Sequence, residues 1–129
     1  MTTAADVRRW ALGFPGAYED LHRRRPAFRV GGRIFAVLGV AGEISLFPGL
    51  AGAAVAVVKL DREDQLNLAA EHPGAVVPTE TYGHHGWTYL RLQHLDDATL
   101  ATLLRLAWAN VAPKRLSRAA AGSGRTPGV

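Results

Sequence analysis

Gly31 and Gly32 stand between two runs rich in Phe, Val and Ile, RPAFRV and RIFAVL. A two-residue Gly-Gly loop between such runs predicts a β-hairpin, because a type I′ turn needs positive φ at both central positions. Glycine takes that conformation without steric cost. Counting outward from the loop, Val30 faces Arg33, Arg29 faces Ile34, and Phe28 faces Phe35. Phe28, Val30, Phe35 and Val37 then share one face of the ribbon, and Ala27, Arg29, Ile34 and Ala36 share the other. The first face is a core face, so the rest of the chain must supply what covers it.

Val7, Trp10, Ala11 and Phe14 recur at helical spacing ahead of the hairpin, with Thr2 or Thr3 as cap and Pro15-Gly16 as the stop. Ala17 to Arg25 reads as a polar connection. Beyond the hairpin, Ile44 and Leu46 predict a short strand, and Ala54 to Lys59 predict a further one. Asp61 and Asp64 make a capping-box-like start to a helix through Leu66, Ala69 and Ala70, stopped by Pro73-Gly74. Val76-Val77 suits an edge strand and Thr79 to Gly86 a loop. Trp87 to Leu92 alternates, with Thr88, Leu90 and Leu92 on one side and Trp87, Tyr89 and Arg91 on the other. Asp96 or Asp97 caps a last helix whose apolar stripe is Leu100, Leu103, Leu104, Ala107, Trp108 and Val111, and Pro113 ends it. The expected fold is α+β: a two-layer sandwich with a mainly antiparallel sheet of about five strands and helices packed on one face. The sheet's other face is then left to water or to a partner.

A chain of 129 residues fits one domain, able to bury roughly two-thirds of its unfolded surface. That domain is expected over 1–116. Residues 117–129, rich in Ala, Gly, Ser and Arg, have nothing to bury and should form a disordered tail. Cysteine is absent, which excludes disulfide and thiol chemistry and suits a cytoplasmic location. No stretch reaches the roughly 18 apolar residues of a membrane span. A formal charge of +4 favours anionic partners.

Catalytic and metal chemistry find little support. His84-His85 are adjacent on an expected extended segment, where side chains point apart, and no third ligand lies at metal spacing. Ser45, Ser117 and Ser123 fall in weakly structured or terminal stretches, so no serine is placed as a nucleophile. Glu19-Asp20 beside Arg23, Arg24 and Arg25 reads as a local ion-pair network. The glycines spell no phosphate loop. Neither a cofactor nor a metal is expected, and the chain is not expected to be an enzyme. One constellation does carry binding chemistry. Arg29, Arg33, Lys59 and Arg91 supply cations, while Trp87 and Tyr89 supply rings, which together suit phosphates and bases. The competing reading is a solvated sheet face with Trp87 folded beneath the loop before it.

Several segments resemble the MmcQ/YjbR-like proteins. Leu12-Gly13-Phe14-Pro15-Gly16 followed by Glu19 is similar to that family's LPG…E opening, and Phe28 to Ala36 to its FKVGGKIFA signature. Lys59 with Asp61-Arg62-Glu63-Asp64 is similar to its KxxPE segment, without the proline. His72-Pro73-Gly74, Gly86-Trp87 and the leucine-rich last helix follow in the family's order, so the resemblance covers roughly 5–116. The connection from Gly39 to Ala53 is longer than the family's usual turn. The resemblance implies a fold like bacterial frataxin (CyaY-like) and like secretion chaperones. It further implies DNA binding through a double-wing arrangement of β-hairpins. Frataxin-type iron binding needs an acidic first helix, and here Asp6 stands beside Arg8 and Arg9. The expected function is therefore a small cytoplasmic binding protein that contacts DNA phosphates through Arg29, Arg33, Lys59, Trp87, Tyr89 and Arg91. The alternative is a module that binds a protein or a small molecule through the same sheet face.

Overall fold

The Gly31–Gly32 turn takes φ values of +59° and +80°, the left-handed pair that a type I′ loop requires, and it joins β2 (Arg25–Val30) to β3 (Arg33–Gly39). The computed structural model describes residues 2–39, 55–79 and 82–117. The expected strand at Ile44 and Leu46, the tail from Arg118, and Ser45 and Ser123 lie outside them. In chain order the other elements are α1 (Ala4–Leu12), β1 (Tyr18–His22), β4 (Val55–Lys59), α2 (Arg62–Glu71), β5 (Val76–Pro78), β6 (Trp87–Arg91) and α3 (Asp97–Val111). They form a six-stranded sheet in the order β1-β2-β3-β4-β6-β5, antiparallel at every described pairing. The architecture is α+β, with an open antiparallel sheet and helices packed against it.

Two local details differ from the sequence-based expectation. Ala17 to Arg25 is not a plain connection, because Tyr18–His22 pairs with β2 as an edge strand. All of its side chains are exposed, so no apolar alternation marks it. Its turn is made by Arg23 and Arg24 with φ of 52° and 69°, a left-handed pair built from arginines rather than Gly or Asn. Within the glycine hairpin, Val30 faces Arg33 and Arg29 faces Ile34 as expected, but Phe28 faces Ala36. Phe35 is the extra residue of a β-bulge. Phe35 and Ala36 both join the main core, and Val37 moves to the opposite face, in a row with Ala27 and Val57.

The main core lies between one sheet face and the helices. Val7 and Ala11 of α1, together with the full expected stripe of α3, close over Phe28, Val30, Phe35, Val58 and Leu90. Capping starts both helices. Thr3 and Asp6 form a reciprocal capping box, and Asp96 accepts from the Thr99 amide at 2.7 Å. Asp61 holds the cap position of α2 but its side chain makes no cap hydrogen bond. That helix also turns differently from the expected pattern. Leu66 is 51% exposed and Ala70 is exposed, while Gln65 is fully buried. Cross-links hold α1 in place: Arg8 grips the Glu19 carboxylate with two hydrogen bonds, at 2.9 and 3.1 Å. Asp97 accepts from Arg9 at 3.1 Å and from the Trp10 indole at 3.0 Å. Glu19 thus pairs with Arg8 of α1. Among the described residues, no helix is long and apolar enough to cross a membrane.

Candidate functional site

Lys59 and Trp87 are direct cross-strand partners, at the end of β4 and the start of β6. The Lys59 ammonium lies 5.5 Å from the indole centroid, within cation–π reach. This end of the sheet also carries the Gly31–Gly32 turn. A cleft of about 480 Å³ opens here, and its described lining is Arg29, Arg33, Ile34, Lys59, Trp87, Asn110 and Val111. The last two come from the final turn of α3. The glycine turn is seated close by, since a Cβ on Gly31 would stand only 2.9 Å from the Pro113 ring.

Each cation reaches the cleft for a different reason. Arg29 is half-buried; its Nη1 donates to the Gly32 carbonyl at 3.0 Å, and its Nε lies 3.2 Å from Asp20 Oδ2. That Nε makes no aligned hydrogen bond, so the Asp20 contact is an ion pair by proximity. Arg33 is exposed at the hairpin tip. Among the described residues, no carboxylate forms an ion pair with Arg33 or Lys59. Asn110 Nδ2 donates to the Lys59 carbonyl at 3.3 Å and so fixes the end of β4 to α3.

A buried polar network positions Trp87. Gln65 Nε2 is shared among the carbonyls of Gly83 and Trp87 and the Thr88 hydroxyl, at 3.0, 3.2 and 2.9 Å. Arg62 donates to Gln65 Oε1 and, at 3.1 Å, to the Gly83 carbonyl. The Thr88 hydroxyl donates in turn to the Gly86 carbonyl at 2.9 Å. The Gly83 and Trp87 carbonyls are thereby tied to α2, and the indole is left half-exposed at the cleft.

The six expected residues therefore divide. Arg29, Arg33, Lys59 and Trp87 come together in one cleft. Tyr89 shares the sheet face of Trp87 but is only 8% exposed, packed with Val55, Val57 and Val77. Arg91 stands at the far end of β6, about 13 Å along the strand from Trp87 and opposite Val55. Its Nε is buried, with no hydrogen-bond partner among the described residues. The face away from the helices is thus closed at its centre and accessible at the glycine end. Sequence reasoning did not pick out Ile34, Asn110 and Val111 as cleft walls, nor Asp20 as the counter-ion of Arg29. His84 and His85 lie on a short 3₁₀ turn with ring centroids 4.0 Å apart, not splayed as on a strand. Among the described residues no cluster of three or more side chains is able to hold a metal ion.

The family model YjbR matches residues 12–110, which include all six strands, α2 and nearly all of α3. The chain belongs to the YjbR family. The YjbR fold is also seen in the crystal structure of Deinococcus radiodurans protein DR2400, which carries the family-model domain DUF419. The two superpose with a TM-score of 0.69 at 21% identity, over 98% of this chain and 91% of the other. At that identity the likeness shows the fold alone. No curated protein matches the chain.

Proposed function

We propose that this YjbR protein is a small, non-catalytic, cytoplasmic nucleic-acid-binding protein that works through phosphate contacts at the glycine-cornered end of its sheet. One observation carries the reading: three cations, Arg29, Arg33 and Lys59, surround a half-exposed indole, and no carboxylate is among the described lining residues. Guanidinium and ammonium groups neutralise phosphates, and an accessible aromatic ring adds a surface on which bases stack. Arg23 and Arg24 place two more exposed cations at the opposite end of β2 from the cleft, where they add to the overall positive field. Binding of a short DNA duplex, measured across a salt series, tests the reading. The expected result is a log–log slope equivalent to several phosphate contacts. Negligible affinity at low salt rejects it.

A protein partner is the second reading, favoured by β1. That strand is at the sheet edge, with Tyr18 and Leu21 exposed. An extended peptide adds to such an edge through main-chain hydrogen bonds. Leu21→Pro removes a main-chain donor that is spent on Asp20 Oδ1 outside the β1–β2 ladder, and it touches no cleft residue, so the two readings separate by variant.

A further inference from the structure

We propose that the cleft between the Gly31–Gly32 turn and the end of α3 is a site for one unpaired nucleotide, with its phosphate on Arg33 and Lys59 and its base on the Trp87 indole. The inference rests on the nucleic-acid reading above and narrows it from a duplex surface to a nucleotide out of the stack. The cleft's volume of about 480 Å³ is that of a small-molecule site. A paired base inside a duplex has both faces covered by its neighbours, so only an unpaired one can lie on an indole. Ile34 and Val111 supply apolar wall for the sugar and the base edge. Asn110 spends one N–H on the Lys59 carbonyl, which leaves its amide oxygen and second N–H to read a base.

Lys59 links the two halves of the site. Its ammonium lies 5.5 Å from the indole centroid, over the surface a base needs. A phosphate is a stronger partner for an ammonium than an aromatic ring at a solvated site. Arrival of the phosphate therefore draws Lys59 off the ring, and the uncovered indole takes the base. The same chemistry is offered by a strand end and by a free mononucleotide. A strand adds further phosphates within reach of Arg29, which favours the strand end.

The test uses the full chain at low salt with four probes: a blunt duplex, the same duplex with a 5′-phosphorylated single-stranded overhang, the single strand alone, and dAMP. The overhang is expected to bind on the order of tenfold tighter than the blunt duplex and to quench tryptophan fluorescence. In Trp87→Leu the quench disappears and overhang affinity falls to that of the blunt duplex. Asn110→Asp keeps the side-chain shape at this exposed position, gives up the hydrogen bond to the Lys59 carbonyl and adds a like charge for the phosphate; it too should lose on the order of tenfold for the overhang. Tighter binding of the overhang than of dAMP assigns the site to a strand end, and equal binding assigns it to a free nucleotide. Equal affinity for blunt and overhang probes without quenching overturns this inference and leaves the phosphate reading standing. No binding of any oligonucleotide overturns both.

Discussion

The Lys59 ammonium and the Trp87 indole, facing each other across β4 and β6, are 5.5 Å apart because a single backbone ladder fixes both. Either residue alone would be an ordinary feature of a basic protein. Their pairing depends on where β6 begins, and that is set by the Gly86 turn and the Gln65 network behind it.

Gly86 should be the least replaceable residue of that arrangement. Its φ is +96°, and a Cβ there would stand 2.0 Å from the Leu60 carbonyl oxygen. Leu60 N–H also donates to the Gly86 carbonyl at 2.9 Å, so the two segments cannot separate cheaply. Gly86→Ala is expected to cost about 3 kcal/mol or more in urea unfolding, and to release Trp87. Gly32→Ala meets nothing within 4 Å at φ +80°. It should cost only the left-handed strain, about 1 kcal/mol. Equal costs for the two would contradict the crowding described at Leu60.

Arg23 and Arg24 hold left-handed conformations that neither side chain favours. Replacing the pair by Asn-Gly, the preferred sequence of such a turn, is expected to stabilise the fold by about 1 kcal/mol. The same change removes two exposed cations, so DNA affinity should fall as stability rises. Chemical denaturation and a binding titration on one preparation read both effects.

Asp96 sets a pH dependence of known sign. Hydrogen bonds from Thr99 hold its carboxyl below the ordinary value of 3.8. A lowered folded-state pKa gives stability that is fully present above that value and is lost as pH falls through the lowered one. Asp96→Asn keeps a capping side chain without the charge. Wild type should therefore melt above the variant at about pH 5, and the margin should close below about pH 4. A margin that persists at pH 2 would contradict the assignment. Asp6, lowered by Arg9 and by the Thr3 amide, contributes with the same sign.

Much of the fold was legible because local chemistry and tertiary packing agree. The glycine loop, the α3 stripe and the alternation of β6 each had one reading, and the structure carries all of them. β1 was hidden because its five exposed side chains show no alternation, and its arginine turn has no turn signature. The bulge at Phe35 was invisible for a similar reason: Phe35 and Ala36 are both apolar, so either register buries an apolar side chain. In α2 the helical period was clear but its face was not. A buried glutamine serves the turn before β6, and Leu66 is exposed. Half of the cleft was legible as cations and a ring. Its walls were not, because only packing of α3 brings Asn110 and Val111 to the glycine turn.

The salt dependence of duplex binding in Arg33→Gln/Lys59→Gln, set beside wild type, tests the central claim most directly. Both side chains line the cleft without a carboxylate partner among the described residues, so their loss should leave the fold unchanged. If phosphates are held there, the variant's affinity falls and its log–log slope shrinks by about two contacts. An unchanged slope with unchanged affinity would contradict the account.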